Sequence, residues 1–367
     1  MRRKIDIGLL FSREGSYALI SQACRKGALE AIAEVNADPA MDIEMIPVER
    51  DPKGNVDLYQ PLCAEILRDT SARHVIGCVT SWSRKEVIPT LEKVGGTLWY
   101  SCPYEGFEAS DHVIYTHACP NQHLLPLLDW VMPRFGRRGY LIGSNYIWGW
   151  EMNRVAREVI SGADGKVLGE RYLPLGDTDV ERLIDEIRAT RPNFILNSLI
   201  GPSSYQFLRA IAALGEEDAY FTAATCPVLS CNLTECELGE LGAASEGLIS
   251  AGPYFQGALG WPRGPRRNFG SSIEAAAYSA VRALALLQAH APDAEQASLA
   301  RLLSRPEAIA AAIDPETHHS SLPVLIGQVR QGAFQVLAGW DEVVADPYLS
   351  RHDRRPPVGR PNLSVVQ

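Results

Sequence analysis

The sequence predicts an α/β protein built from two similar, doubly wound parallel-sheet lobes. Three observations lead there. Short apolar runs alternate with stretches whose apolar residues recur at helical spacing, the pattern of strand–helix–strand units with right-handed crossovers. That alternation runs to about residue 102 and starts again after Asn121. The chain, at 367 residues, is longer than one hydrophobic core organises, so two lobes are expected.

Taken in order, residues 4–11 read as the first strand, 12–16 as a polar loop, and the stretch through Cys24 to Val35 as a helix. Residues 42–48 are a second strand. Asp51, Pro52, Lys53 and Gly54 punctuate a turn, and 57–68 is a helix. The apolar run 74–79 is a buried strand leading into a helix over 84–94, with Thr80, Ser81 and Ser83 between them. A strand over 97–102 is closed by Pro103. The pattern then restarts: a helix capped by Asn121, a strand over 138–144, an aromatic loop over 145–150, a helix over 151–160, a strand over 166–173 and a helix over 179–189. A strand at 193–200, a polar turn at 201–204, a helix at 205–214 and a strand at 219–225 repeat the unit at 74–102, hydroxyls included, which suggests duplication. Gly252 and Pro253 suit a crossing between lobes. Residues 259–267 form a basic Pro/Gly loop, 272–289 an Ala-rich helix, and 324–337 a hairpin turning at Gln331 and Gly332. The tail from Arg351 is expected to be loosely ordered. Lobe I is thus residues 1–119 plus 254–320, and lobe II 120–253 plus 321–367, with hinge crossings near 120, 253 and 320.

Composition narrows the function. A net charge of −9 argues against direct nucleic-acid binding, which needs a basic face. No apolar run approaches the ~20 residues that span a bilayer. Residues 4–11, after a basic start, read as a strand rather than part of a secretory leader, so a cytoplasmic location is expected, although a trimmed leader would leave the same pattern. None of the eight cysteines forms a C-x-x-C pair. Cys226, Cys231 and Cys236, five apart, would point in different directions on a helix and have no nearby histidine, so no metal is expected. No dinucleotide fingerprint, phosphate loop or nucleophile elbow is present, so no cofactor and no catalysis are expected. His318 and His319 read as a solvated loop, and Cys102 as a small buried hydrophobe.

What remains is polar and aromatic: Ser81, Ser83, Tyr100, Tyr104, Asn145, Tyr146, Trp148, Trp150, Ser203 and Thr225 at predicted strand ends. Hydroxyls before a helix either cap it or help its free N–H groups hold a ligand oxygen. One of Trp148 and Trp150 is expected in a core. Together these groups suit a small neutral polar molecule held in a cleft between lobes.

The stretch 78–89 with its S-x-x-R-K pattern, P-Y-E-G-F-E at 103–108, Pro120–Asn121–Gln122 and the run 142–147 resemble the amide- and urea-sensing branch of the two-lobed type I periplasmic-binding-protein family, which includes a cytoplasmic negative regulator of aliphatic amidase expression. The resemblance covers essentially the whole chain. It implies two lobes on a multi-strand hinge and a ligand amide held by Ser81, by the strand end at Tyr100, Cys102, Pro103 and Tyr104, by Tyr146, and by Thr225. It also implies departures, with Val79 in place of an aromatic residue, Cys102 of a threonine and Trp148 of a tyrosine, so that the ligand need not be acetamide. As partner it implies an RNA-binding antitermination regulator, sequestered until ligand releases it; a homodimer is compatible with it. The alternative function is a solute-binding component of an ABC uptake system for urea, short amides or amino acids.

Overall fold

The elements of the computed structural model, which describes residues 2–108, 110–262, 268–289, 291 and 298–351, follow in chain order. They are β1 (Arg3–Leu10), α1 (Ala18–Ala37), β2 (Ile43–Arg50), α2 (Tyr59–Asp69), β3 (His74–Gly77), α3 (Ser81–Val94), β4 (Thr97–Tyr100) and β5 (Val113–Tyr115). Next come α4 (Leu124–Phe135), β6 (Arg138–Ser144), α5 (Ile147–Gly162), β7 (Lys166–Leu173), α6 (Glu181–Thr190), β8 (Phe194–Ser198), α7 (Pro202–Glu217), β9 (Val228–Ser230), α8 (Glu235–Leu241) and β10 (Ile249–Gly252). The chain ends with α9 (Ser272–Gln288), the short α10 (Leu299–Leu303) and α11 (Pro306–Ala310), and the strands β11 (Leu322–Arg330) and β12 (Ala333–Val343). Two units result: Met1–Ala118 with Leu259–Leu322, and Cys119–Ala258 with Pro323–Gln367.

The first unit holds a parallel sheet in the order β2-β1-β3-β4-β5. Its central strands are covered on both faces, which is why β3 and β4 are short continuous apolar runs rather than alternating ones. Helix α1 lies against α9, and Gly27 permits that approach: a Cβ there would sit 2.1 Å from the Glu274 carbonyl oxygen.

The second unit holds a seven-stranded sheet, β12-β11-β10-β9-β8-β6-β7. Its parallel part, read from β7 to β10, places its strands second, first, third, fourth and fifth, the order found in the first unit. The antiparallel hairpin β11–β12 is added at its edge beside β10. The hairpin turns through Gln331 and Gly332, both at positive φ, as a tight two-residue turn between twisted strands requires. Tyr140, Ile142, Ile195, Phe207, Leu208, Phe255 and Val329 are among the side chains of its core.

The structure corrects three local expectations. No strand covers 219–225: Asp218 accepts from the Tyr220 N–H at 2.9 Å and starts a 3₁₀ turn over Ala219–Phe221, and β9 begins only at Val228. The aromatic stretch after β6 is not a loop, because α5 begins at Ile147 and carries both tryptophans on its first turn. Asn121 does not cap the helix after it: α4 begins at Leu124 with His123 as its N-cap, while β5, three residues long, is too short for its period to show in sequence. The tail beyond Arg351 and residues 263–267 of the basic loop lie outside the described residues. Among the described residues no helix is long and apolar enough to cross a membrane.

Candidate functional site

Each sheet has a point where the strand order reverses, between β1 and β3 in the first unit and between β6 and β8 in the second. In open parallel sheets of this kind, ligands bind beyond the carboxyl ends of the strands at such a point.

In the first unit the Cys78 N–H donates to the Leu10 carbonyl at 3.0 Å, drawing the chain after β3 onto the end of β1. Cys78 itself adopts a φ of 65°, an uncommon state for a residue with a Cβ. The hydroxyls that follow divide their work. Thr80 is the N-cap of α3 and Ser83 completes a reciprocal capping box. Ser83 Oγ also takes the N–H groups of Val79 and Thr80 at 3.2 and 3.1 Å. Plain capping therefore accounts for Thr80 and Ser83. Ser81 is different. Its hydroxyl, 2 % exposed, donates to Glu105 Oε2 at 2.9 Å.

Behind Ser81 lies a buried ionic cluster. Arg84, fully buried, donates from Nη2 to Glu105 at 2.6 Å and from Nε to Glu108 at 2.8 Å. Lys85 reaches Glu108 from the surface, and the Tyr115 hydroxyl donates to Glu108 at 2.6 Å. Gly106 and Phe107, at φ of 83° and 62°, make the turn that brings both carboxylates to one guanidinium. The Arg84 guanidinium stands 4.7 and 4.8 Å from the ring centres of Tyr100 and Tyr104, a cation–π arrangement that partly replaces its lost hydration. Burial opposes the charge on Arg84, but Glu105 and Glu108 outweigh it and hold its pKa well above the ordinary value. Burial likewise raises the Glu108 carboxyl, yet the charge of Arg84 and the hydrogen bonds from Arg84, Lys85 and Tyr115 prevail and bring it down to about 2.

The other expected residues of this unit fall around the cluster. The Tyr100 hydroxyl donates to the Val79 carbonyl at 2.6 Å, joining the ends of β3 and β4. The Tyr104 hydroxyl accepts from the Glu108 N–H at 2.7 Å, and its ring stacks on Tyr115 at 4.3 Å between centres. Pro103 is buried beside it. The Cys102 sulfur lies 3.7 Å from that of Cys24 on α1, so this side chain packs against the helix that covers the sheet. His319, expected in a solvated loop, is 2 % exposed and stacks on Tyr115 at 4.2 Å. A backbone bridge between the two residues continues the sheet past β5.

In the second unit the corresponding strand ends carry different chemistry. Ser144 Oγ, at the end of β6, accepts from the Ile200 N–H at 3.1 Å, tying together the chains after β6 and β8. Tyr146, 1 % exposed, is the N-cap residue of α5. Gly149 lets the first turn of that helix rest on β6: a Cβ would come within 2.1 Å of the Ser144 carbonyl. Trp148 is buried and faces His123 edge-on at 5.9 Å, and its indole N–H has no hydrogen-bond partner among the described residues. Trp150, about 200° further round the helix, is 44 % exposed. At the end of β9 and just beyond it, Ser230, Asn232 and Thr234 are buried, and Asn232 donates to the Leu199 carbonyl at 3.1 Å. Glu237 on α8 accepts from the Tyr205 hydroxyl at 2.9 Å, and burial, opposed by that bond, pushes its carboxyl up to about 7.

Thr225 is not among these groups. It is exposed in the turn before β9, at the amino end of the strands. Nearby, at that same end, Phe221, Val228, Leu248 and Val329 line a cavity of about 810 Å³. The strand expected at 219–225 would have carried Thr225 at its carboxyl end; the 3₁₀ turn removes that placement, and the residues that take it are Ser230, Asn232 and Thr234. Glu105, Glu108, Tyr115, His319 and Glu237 were not singled out as site residues from sequence. The opposed charges of the S-x-x-R-K and P-Y-E-G-F-E motifs were the available signal for the first two.

The sequence model of the periplasmic binding protein domain matches residues 5–263. The chain belongs to this family. Its structure is similar to the solute-binding protein of an ABC transporter from Rhodopseudomonas palustris HaA2 in complex with p-hydroxybenzoic acid, with a TM-score of 0.78 at 19% identity, covering 95% of this chain and 100% of that one. A second solute-binding protein from R. palustris, in complex with benzoate, gives 0.75 at 15% identity over 94% and 98%. The branched-chain amino acid substrate-binding protein of Streptococcus pneumoniae, in complex with isoleucine, gives 0.74 at 15% identity over 93% and 99%. The type I periplasmic-binding-protein fold expected from the sequence is thus the fold of this chain, and its relatives in fold are binding proteins for small molecules.

Proposed function

We propose that this protein is a solute-binding component serving an ABC uptake system, and that it takes a small polar organic molecule, of the size of urea, a short amide or an amino acid, at the carboxyl ends of β3 and β4. The observation that carries the placement is Ser81: a buried hydroxyl at the strand-order reversal, held by Glu105 and not used to cap its helix. The similar structures with bound benzoates and isoleucine support the transport reading over the sensor expected from the resemblance. The antitermination regulator and the homodimer drawn from that resemblance gain no support from them. A transport role places the mature protein outside the cytoplasmic membrane, contrary to the cytoplasmic expectation, and cell fractionation of the native host decides between the two.

The test of the site is a thermal-shift screen of amides, ureas, amino acids and benzoates, since a ligand that binds only the native state raises the melting point. For any solute found, Ser81→Ala is expected to weaken binding by about 1–3 kcal/mol, the cost of an unmade buried hydrogen bond. Calorimetry showing unchanged affinity would remove Ser81 from the site.

A further inference from the structure

We propose that Glu105 is a specificity-determining positioning residue: by holding the Ser81 proton it makes Ser81 a hydrogen-bond acceptor, so that the ligand group seated there is an N–H donor and a carboxylate is refused. This rests on the placement of the ligand at Ser81. A serine hydroxyl has one proton and two lone pairs. Glu105 faces the Arg84 guanidinium at 2.6 Å and the Ser81 hydroxyl at 2.9 Å. The Ser81 hydroxyl is the donor of that bond, so its one proton is spent on Glu105 and Ser81 Oγ turns only lone pairs to a guest.

The surroundings hold this polarity in place. Arg84 is fixed by Glu108 at Nε and by the ring faces of Tyr100 and Tyr104, so Glu105 has one stable orientation. Two cations, Arg84 and Lys85, already face two carboxylates, Glu105 and Glu108, and the cluster has no surplus positive charge for an anion. The remaining Arg84 nitrogen, Nη1, has no hydrogen-bond partner among the described residues and is buried with a side chain that is fully enclosed. At the start of α3 the N–H groups of Val79, Thr80 and Ser83 are taken by the capping hydroxyls. Of the donors around this helix start, those three are therefore committed.

The experiment is titration calorimetry on the full chain with matched pairs, acetamide against acetate and benzamide against benzoate, at one pH. The amide of each pair is expected to bind at least about tenfold more tightly. Glu105→Gln then reverses the hydrogen bond: with its oxygen kept on Arg84, the glutamine NH₂ donates to Ser81 and frees the serine proton for the ligand. The amide-to-carboxylate ratio is expected to fall about tenfold or more, a change that loss of stability alone would not produce. Should Glu105→Gln fail to fold, wild type and Ser81→Ala still decide: Ser81→Ala is expected to weaken the amides and leave the carboxylates unaffected. Carboxylates bound as tightly as amides, and weakened by Ser81→Ala, would overturn the role of Glu105 while keeping the site. Binding indifferent to Ser81→Ala, or no binding by either pair, would overturn the site itself.

Discussion

The strand ends of the two units solve one problem in opposite ways. Both follow the same strand order and both place hydroxyls before a helix, yet the first unit buries paired charges and the second a carboxyl whose pKa burial raises. Around Ser81 the charges are paired: Arg84 is enclosed by two carboxylates and three tyrosine rings, and Glu108 stays ionised with its pKa near 2. In the second unit Glu237 has a tyrosine hydroxyl and, among the described residues, no cation as hydrogen-bond partner, and its pKa is near 7. A shared strand order thus leaves the electrostatics of its strand ends free. Burial penalises a charge in both places, and only a nearby opposite charge reverses the outcome.

The sharpest way to break this contrast is to remove the cation. Arg84→Met strands two buried carboxylates and is expected to destabilise the first unit by about 3–5 kcal/mol. Glu237→Gln in the second unit replaces an acid that is largely protonated below pH 7 with a neutral isostere, and is expected to cost under about 1 kcal/mol at pH 6. Urea denaturation followed by hydrogen exchange on peptides from each unit separates the two effects, because the units need not unfold together. Equal losses would show that charge pairing does not distinguish them.

Acidity sharpens the comparison next. Glu108 is depressed from its ordinary 4.5 to about 2, so its contribution is present above 4.5 and is lost as the pH falls toward 2. Glu237 is raised from 4.5 to about 7, so its contribution is complete below 4.5 and is lost as the pH rises through 7. Each amounts to about 3 kcal/mol at most by linkage. Exchange protection of the first unit is expected to fall as the pH drops from 4.5 toward 2, and that of the second as the pH rises from 4.5 to 7, with Glu237→Gln flattening the latter. Protection moving in one direction in both units would refute the assignment.

Smaller effects follow. Tyr104→Phe removes the hydroxyl that accepts the Glu108 N–H and is expected to cost about 1 kcal/mol, read from the urea midpoint. Thr225→Ala, on an exposed turn at the far end of its sheet, is expected to change stability by less than about 0.5 kcal/mol and ligand affinity not at all, in contrast to Ser81→Ala. A loss of affinity in Thr225→Ala would restore the residue to the site.

Much of the candidate site was legible because local chemistry dictates it. The apolar run to Cys78 makes a buried strand, the helical spacing beyond it makes α3, and the hydroxyls between must lie at the junction. Thr225 failed for the converse reason: Tyr220 and Phe221 carry a strand-like composition, and a single capping bond from Asp218 diverts them into a turn. His319 reads as polar and exposed until Tyr115, some two hundred residues earlier, supplies a ring to stack on.

The sequence by itself determined the alternation of strands and helices, the repeated unit, and the junctions where hydroxyls gather, since each depends on residues close together in the chain. Only the tertiary structure decided which hydroxyl caps and which stays for other use, that Arg84 meets both Glu105 and Glu108, and that Glu237 meets Tyr205. Those outcomes depend on which charges burial brings within a few ångströms of one another, and in a low-dielectric interior that proximity sets both the protonation state and the direction of every hydrogen bond.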